Sequence, residues 1–136
     1  MKAGKVWGST ECIEINPFTE LHRIVVRAGG YCSKHKHNHK WNGFYVESGA
    51  LEVRIWQDSY DLVDNTVLRS GDYTKVTPGL YHQFVALEPT VAFEIYWAQK
   101  PEVDIIRETV GGKDVSVNCG GDHAARGHAG HRIRPD

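Results

Sequence analysis

The stretch Gly29-Gly30-Tyr31-Cys32-Ser33-Lys34-His35-Lys36-His37-Asn38-His39-Lys40-Trp41-Asn42 places three histidines within five residues. Side chains two apart on a strand share a face, so an extended backbone turns His35 and His37 the same way, or His37 and His39. Two imidazoles so placed hold one divalent metal only if a distant segment supplies the remaining ligands. His82, in Pro78-Gly79-Leu80-Tyr81-His82, is the candidate supplier. Neutral imidazole suits zinc, iron, nickel and copper, and three histidines leave positions open for water or substrate. For a His-x-His taken alone, a solvated edge of histidines among lysines is the competing reading.

Outward from this stretch the chain alternates with period two. Leu51, Val53 and Ile55 line one face of a strand, and Val91, Phe93, Ile95 and Trp97 line one face of another. Further strands are expected over Cys12 to Ile15, Leu21 to Arg27, Gly43 to Glu47, Tyr73 to Val76 and His82 to Leu87, all rich in β-branched and aromatic residues. Turn signals stand between them at Asn16-Pro17, Ala28-Gly29-Gly30, Ser48-Gly49, Asp64-Asn65, Ser70-Gly71, Pro78-Gly79 and Glu88-Pro89. Helical periodicity is missing before residue 100 and there is no internal repeat. Many short strands with regular turns argue for an all-β sandwich or barrel. Val103 to Glu108 reads as one last strand. From Val117 onward large apolar residues almost vanish, which gives a barrel over residues 1–110 and a Gly/His-rich tail over residues 111–136.

The 136 residues suit one domain, and the 40% apolar and 24% charged fractions are those of a globular chain. A net charge of −1 supplies no field to recruit nucleic acid or an anionic membrane. No apolar run approaches the ~20 residues that cross a bilayer as a helix. Met1 to Thr10 lacks the apolar segment of a signal peptide, so a cytoplasmic location is the expectation. Cys12, Cys32 and Cys119 are odd in number and widely spaced, and read as free thiols.

The spacing of these residues resembles the two motifs of the cupin family. Gly29, His35, His37, Asn42 and Gly49 fall at the positions of the first motif, with asparagine where the family carries a metal-binding glutamate. Gly71, Gly79 and His82 fall in register with the second, Pro78 is displaced by one place, and Ala86 stands at the usual asparagine. The resemblance spans residues 29–86 and implies an all-β fold, the cupin double-stranded β-helix or jelly-roll barrel. It implies a divalent transition metal (zinc, iron, manganese or nickel) held by His35, His37 and His82. Asn42 stands beside them as a neighbour or weak ligand, and His39 is the alternative recruit. A homodimer is implied too, with Val6, Trp7 and Ile13 as interface candidates.

The hairpin Phe44 to Val53 resembles that of mannose-6-phosphate-isomerase-like cupins, which implies a sugar or sugar-phosphate substrate and aldose–ketose isomerisation. Without the glutamate, the histidine set also resembles three-histidine iron oxygenases. A non-catalytic cupin that binds a small ligand is the third reading. A titratable group in the pocket besides the histidines separates catalysis of proton transfer from passive binding. Glu94 and Tyr96, opposite the apolar set of their strand, are either solvent-facing or functional, with solvent the expectation for Glu94, and Arg23 and Arg54 are candidate anion clamps.

Overall fold

The computed structural model describes residues 1–57, 62–98 and 107–113. The alternating segments form nine strands among them: β1 (Lys2–Lys5), β2 (Gly8–Ile15), β3 (Thr19–Val26), β4 (Trp41–Ser48), β5 (Ala50–Gln57), β6 (Leu62–Arg69), β7 (Tyr73–Val76), β8 (His82–Ala86) and β9 (Thr90–Trp97). They build two antiparallel sheets, one of six strands in the order β1-β2-β3-β9-β4-β7 and one of three in the order β6-β5-β8. Ile24, Val26, Phe44, Val46 and Ala92 from the larger sheet meet Leu51, Val53, Leu68 and Phe84 from the smaller one in a single buried cluster. The result is an all-β jelly-roll barrel. No helix among the described residues is long and apolar enough to cross a membrane.

Tight turns close the barrel where glycines take up backbone conformations closed to other residues. Gly29, Gly49, Gly71 and Gly79 all have φ between 79° and 97°. Gly49 joins β4 to β5, and a Cβ there would lie 2.3 Å from the Pro89 carbonyl oxygen.

Two expectations are corrected. Asp64-Asn65 is no turn: both lie inside β6, paired with Ile55 and Arg54 of β5. β6 is an edge strand with a largely exposed surface, so polar residues fit, and Gln57 Nε2 donates to Asp64 Oδ2 at 2.7 Å. In β9 the inner face is the reverse of the one expected. Thr90, Ala92 and Glu94 are buried, whereas Val91, Phe93, Ile95 and Trp97 lie half-buried on the outside of the sheet. Glu94 is only 7% exposed and does not face solvent. Pairing with both β3 and β4 sets the inward parity of β9, and apolar neighbours on the outer face accept the other set. The strand expected over Val103 to Glu108 falls mostly outside the described residues; Arg107 and Glu108 carry no strand. So does most of the tail, from residue 114 onward.

Candidate metal centre

His35 and His37 lie on a segment that forms no regular strand and touches β8 through isolated pairings. His35 and His82 exchange backbone hydrogen bonds of 3.0 and 2.8 Å, and the Gly79 amide donates to the His37 carbonyl at 2.8 Å. These bonds carry the two motifs to one place. The rings of His35, His37 and His82 pack with centroids 4.6 to 5.5 Å apart, and their ligand atoms lie within 4.8 Å of one another. Such a group could hold one metal ion. His39, exposed in a bend, is not part of it.

The hydrogen bonds of the rings suit that use. His35 Nδ1 donates to the Ser33 carbonyl at 2.7 Å and His82 Nδ1 donates to the Leu80 carbonyl at 2.9 Å, each two residues upstream. A proton held on Nδ1 leaves the Nε2 lone pair directed at a common centre, which is the tautomer a metal requires. His37 Nε2 is buried without a hydrogen-bond partner. An orphaned ring nitrogen beside two prepared ones fits a cation. Burial disfavours the charged form of both rings, lowering the His37 pKa and bringing that of His82 down to about 4, so both are neutral ligands near pH 7.

Asn42 is buried on β4, with Oδ1 3.0 Å from His82 Nε2 and Nδ2 3.4 Å from Glu94 Oε2. With the His82 proton on Nδ1, two lone pairs face each other across the first contact. A cation between them relieves that conflict, and so does a half-turn of the amide. The Tyr96 hydroxyl donates to Glu94 Oε2 at 2.5 Å. Burial raises the Glu94 pKa, partly opposed by the bonds from Tyr96 and Asn42. Tyr96 is pushed above its ordinary value by burial and the neighbouring carboxylate.

A cavity of about 260 Å³ opens beside the triad, lined by His35, Glu94, Tyr96, Thr10, His22 and Lys5 among others. His22 on β3 belongs to a set the sequence reading passed over. Its Nε2 donates to Glu20 Oε2 at 3.1 Å, and Lys40 Nζ donates to Glu20 Oε1 at 3.2 Å. The bond from His22 is the main cause of a lowered Glu20 pKa. Glu20, His22, Ile24 and Val26 share one strand face, a parity legible in the sequence but giving no sign of which face turns inward.

Arg23 and Arg54 do not reach the cavity. They form ion pairs with Glu47 at 3.8 Å and Glu52 at 3.4 Å. Cys12 and Cys32 are free thiols, and burial pushes Cys32 up to about 12, which makes it inert.

No protein-family model matches the chain, and no curated protein matches it. Solved structures do. KdgF from Halomonas sp. superposes over 71% of this chain and 83% of its own, with a TM-score of 0.61 and 20% identity. Oxalate decarboxylase from Bacillus subtilis, known for its Mn(II) centres, matches over 72% of this chain with a TM-score of 0.65 and 16% identity; the match spans 27% of that longer chain. The cupin domain of Schizosaccharomyces pombe Cnp3 covers 70% of this chain and 67% of its own, with a TM-score of 0.60 and 12% identity. The facing sheets, their strand order and these neighbours together give the chain the fold of the cupin superfamily.

Proposed function

We propose that this chain is a metal-binding cupin acting on a small polar molecule, with His35, His37 and His82 as ligands of a divalent transition metal and Asn42 beside them. The observation that carries the reading is the orphaned, buried Nε2 of His37 between two imidazoles whose Nδ1 protons are already engaged. Zinc, iron, manganese and nickel all suit the donor set, and the Mn(II) centres of the oxalate decarboxylase neighbour keep manganese among them. A metal bound there polarises a carbonyl or hydroxyl of the ligand.

The cavity also holds Glu94, a titratable group besides the histidines, and this supports proton transfer over passive binding. Glu94 is the proton carrier in this reading. Tyr96 positions its carboxyl through the hydroxyl bond. An isomerase-like reaction on a sugar or sugar phosphate is the chemistry that uses such a pair. A three-histidine iron oxygenase is the second reading, favoured by the absence of a carboxylate at position 42. A homodimer is part of the proposal.

Metal analysis of protein purified without a tag or added metal tests the centre. Near-stoichiometric metal is expected in the wild type and in a variant with His123, His128 and His131 changed to alanine, and loss of nearly all of it in His82→Ala. Metal that disappears with the tail histidines, or none in the wild type, would overturn the reading. Iron with substrate-dependent oxygen uptake selects the oxygenase; another metal without uptake selects the isomerase.

A further inference from the structure

The donors gathered around the candidate centre bring no negative charge: they are three imidazoles and the amide of Asn42. Burying a divalent cation among neutral groups is costly unless a counter-charge lies close by. Among the described residues the buried acids are Asp72 and Glu94. Asp72 serves a turn, where its Oδ2 accepts the Arg69 amide at 3.1 Å. Glu20, on the inner face of β3, is engaged by His22 and Lys40. The counter-charge therefore falls to Glu94.

Strand pairing sets the route by which Glu94 reaches the centre. β4 and β9 pair Asn42 with Tyr96 and Phe44 with Glu94, so the Asn42 and Glu94 side chains are diagonal neighbours on the buried face. Asn42 Nδ2 donates to Glu94 Oε2 at 3.4 Å and to the Gly43 carbonyl at 3.5 Å. Both bonds are long, but an ionised carboxylate and a carbonyl are acceptors only. They take the NH2 edge of the amide and repel its oxygen. A half-turn that brought Nδ2 to His82 would set Oδ1 against these two oxygens. Glu94 is itself held in place, because the Tyr96 hydroxyl donates to the same Oε2. The Tyr96 ring in turn packs edge-on against His37, with centroids 5.2 Å apart. Both bonds end on Oε2, so proton exchange in the proposed reaction falls to Oε1.

We propose that Glu94 is a positioning residue of the metal centre, which locks the Asn42 amide with Oδ1 toward the metal and supplies, one hydrogen bond away, the negative charge that the ligands lack. The inference rests on the metal-binding reading and adds the residue that orients the fourth donor. A carboxylate and a cation that are each costly to bury alone offset one another when both are present.

Titration of the metal-stripped full chain with Co(II), followed by its visible absorption, tests the role. His123, His128 and His131 are changed to alanine throughout, so that the tail cannot compete for the ion. Glu94→Gln keeps the shape and removes the charge, and is expected to weaken Co(II) binding roughly 10–100-fold, the usual cost of losing an outer partner of a ligand. Its absorption at saturation is expected to differ from that of the parent, because the amide is free to turn. Tyr96→Phe, which removes the bond that holds the carboxylate, is expected to lose affinity by a smaller factor. Asn42→Asp combined with Glu94→Gln exchanges amide and carboxylate at constant charge and is expected to restore most of the loss, which a packing role for Glu94 would not. Affinity unchanged in Glu94→Gln, or a double variant no tighter than Glu94→Gln alone, would overturn the inference. Should Glu94→Gln fail to fold, Tyr96→Phe with the parent's affinity overturns it instead. Co(II) binding lost in His82→Ala but intact in Glu94→Gln removes the positioning role alone; binding absent from the parent, or unaffected by His82→Ala, removes the metal reading and this inference with it.

Discussion

His82 is the side chain on which the two motifs converge, and its burial gives the metal-free protein a defined acid limb. Its pKa falls from 6.5 to about 4 on folding, so between those values the unfolded chain binds the proton and the folded one does not. Stability is therefore lost as pH drops through that window. Glu94 works in the opposite direction. Its folded pKa lies above 4.5, so its contribution is complete below 4.5 and is lost as pH rises through the higher folded value. Urea unfolding of metal-stripped protein at a series of pH values is expected to show both limbs, with Glu94→Gln flattening the upper one and His82→Gln the lower. Because the two effects oppose each other above pH 4.5, the Glu94→Gln variant isolates His82, and a profile of that variant flat from pH 4 to 7 would contradict the buried, neutral state of His82. The histidines were legible in the sequence because their spacing carries chemistry, whereas Glu94 was not. A carboxylate on an alternating strand is placed inside or outside only by what packs on each face, and here β3 and β4 decide it.

At the level of strands and turns, the glycines between strands do work that no side chain could replace. Gly49 has φ of 97°, and a Cβ there would lie 2.3 Å from the Pro89 carbonyl oxygen and 2.6 Å from Thr90 Oγ1. Gly49→Ala is expected to cost about 2–4 kcal/mol, combining left-handed backbone strain with a clash against main chain. Gly4→Ala, on exposed β1 with nothing within 4 Å of the added Cβ, is the control and is expected to change stability by less than about 0.5 kcal/mol. Chemical denaturation of both variants checks the contrast; equal losses would mean that the β4–β5 turn is not the constraint described. The strands of β3, β4, β5, β7, β8 and β9 were readable from alternation. β6 was not, because Asp64 and Asn65 carry turn chemistry and an edge strand asks little of propensity.

For the molecule as a whole, the two faces of the larger sheet set what remains to be covered. Trp7, a candidate for a dimer contact by sequence, packs against Phe84 and the core of its own chain, while Val6 and Ile13 stay exposed. The outer face carries Val91, Phe93, Ile95 and Trp97 on β9, with Trp41 of β4 stacked on Trp97 at a centroid distance of 5.9 Å. For the proposed homodimer the N-terminal hairpin offers the more exposed apolar side chains, with Val6 96% and Ile13 52% exposed. Light scattering on the eluting protein is expected to give twice the chain mass of 15.3 kDa, and Ile13→Arg is expected to give the monomer with its metal retained. A monomeric wild type would remove the dimer without touching the metal site. The sequence by itself determined the all-β class, most strand positions and the three histidines, because period-two alternation, turn glycines and ligand spacing are local or short-range patterns. Tertiary structure alone decided which face of β9 turns inward and that Glu94 joins Asn42 beside His82. Those outcomes depend on strand partners distant along the chain, and no local pattern encodes which partner a strand will find.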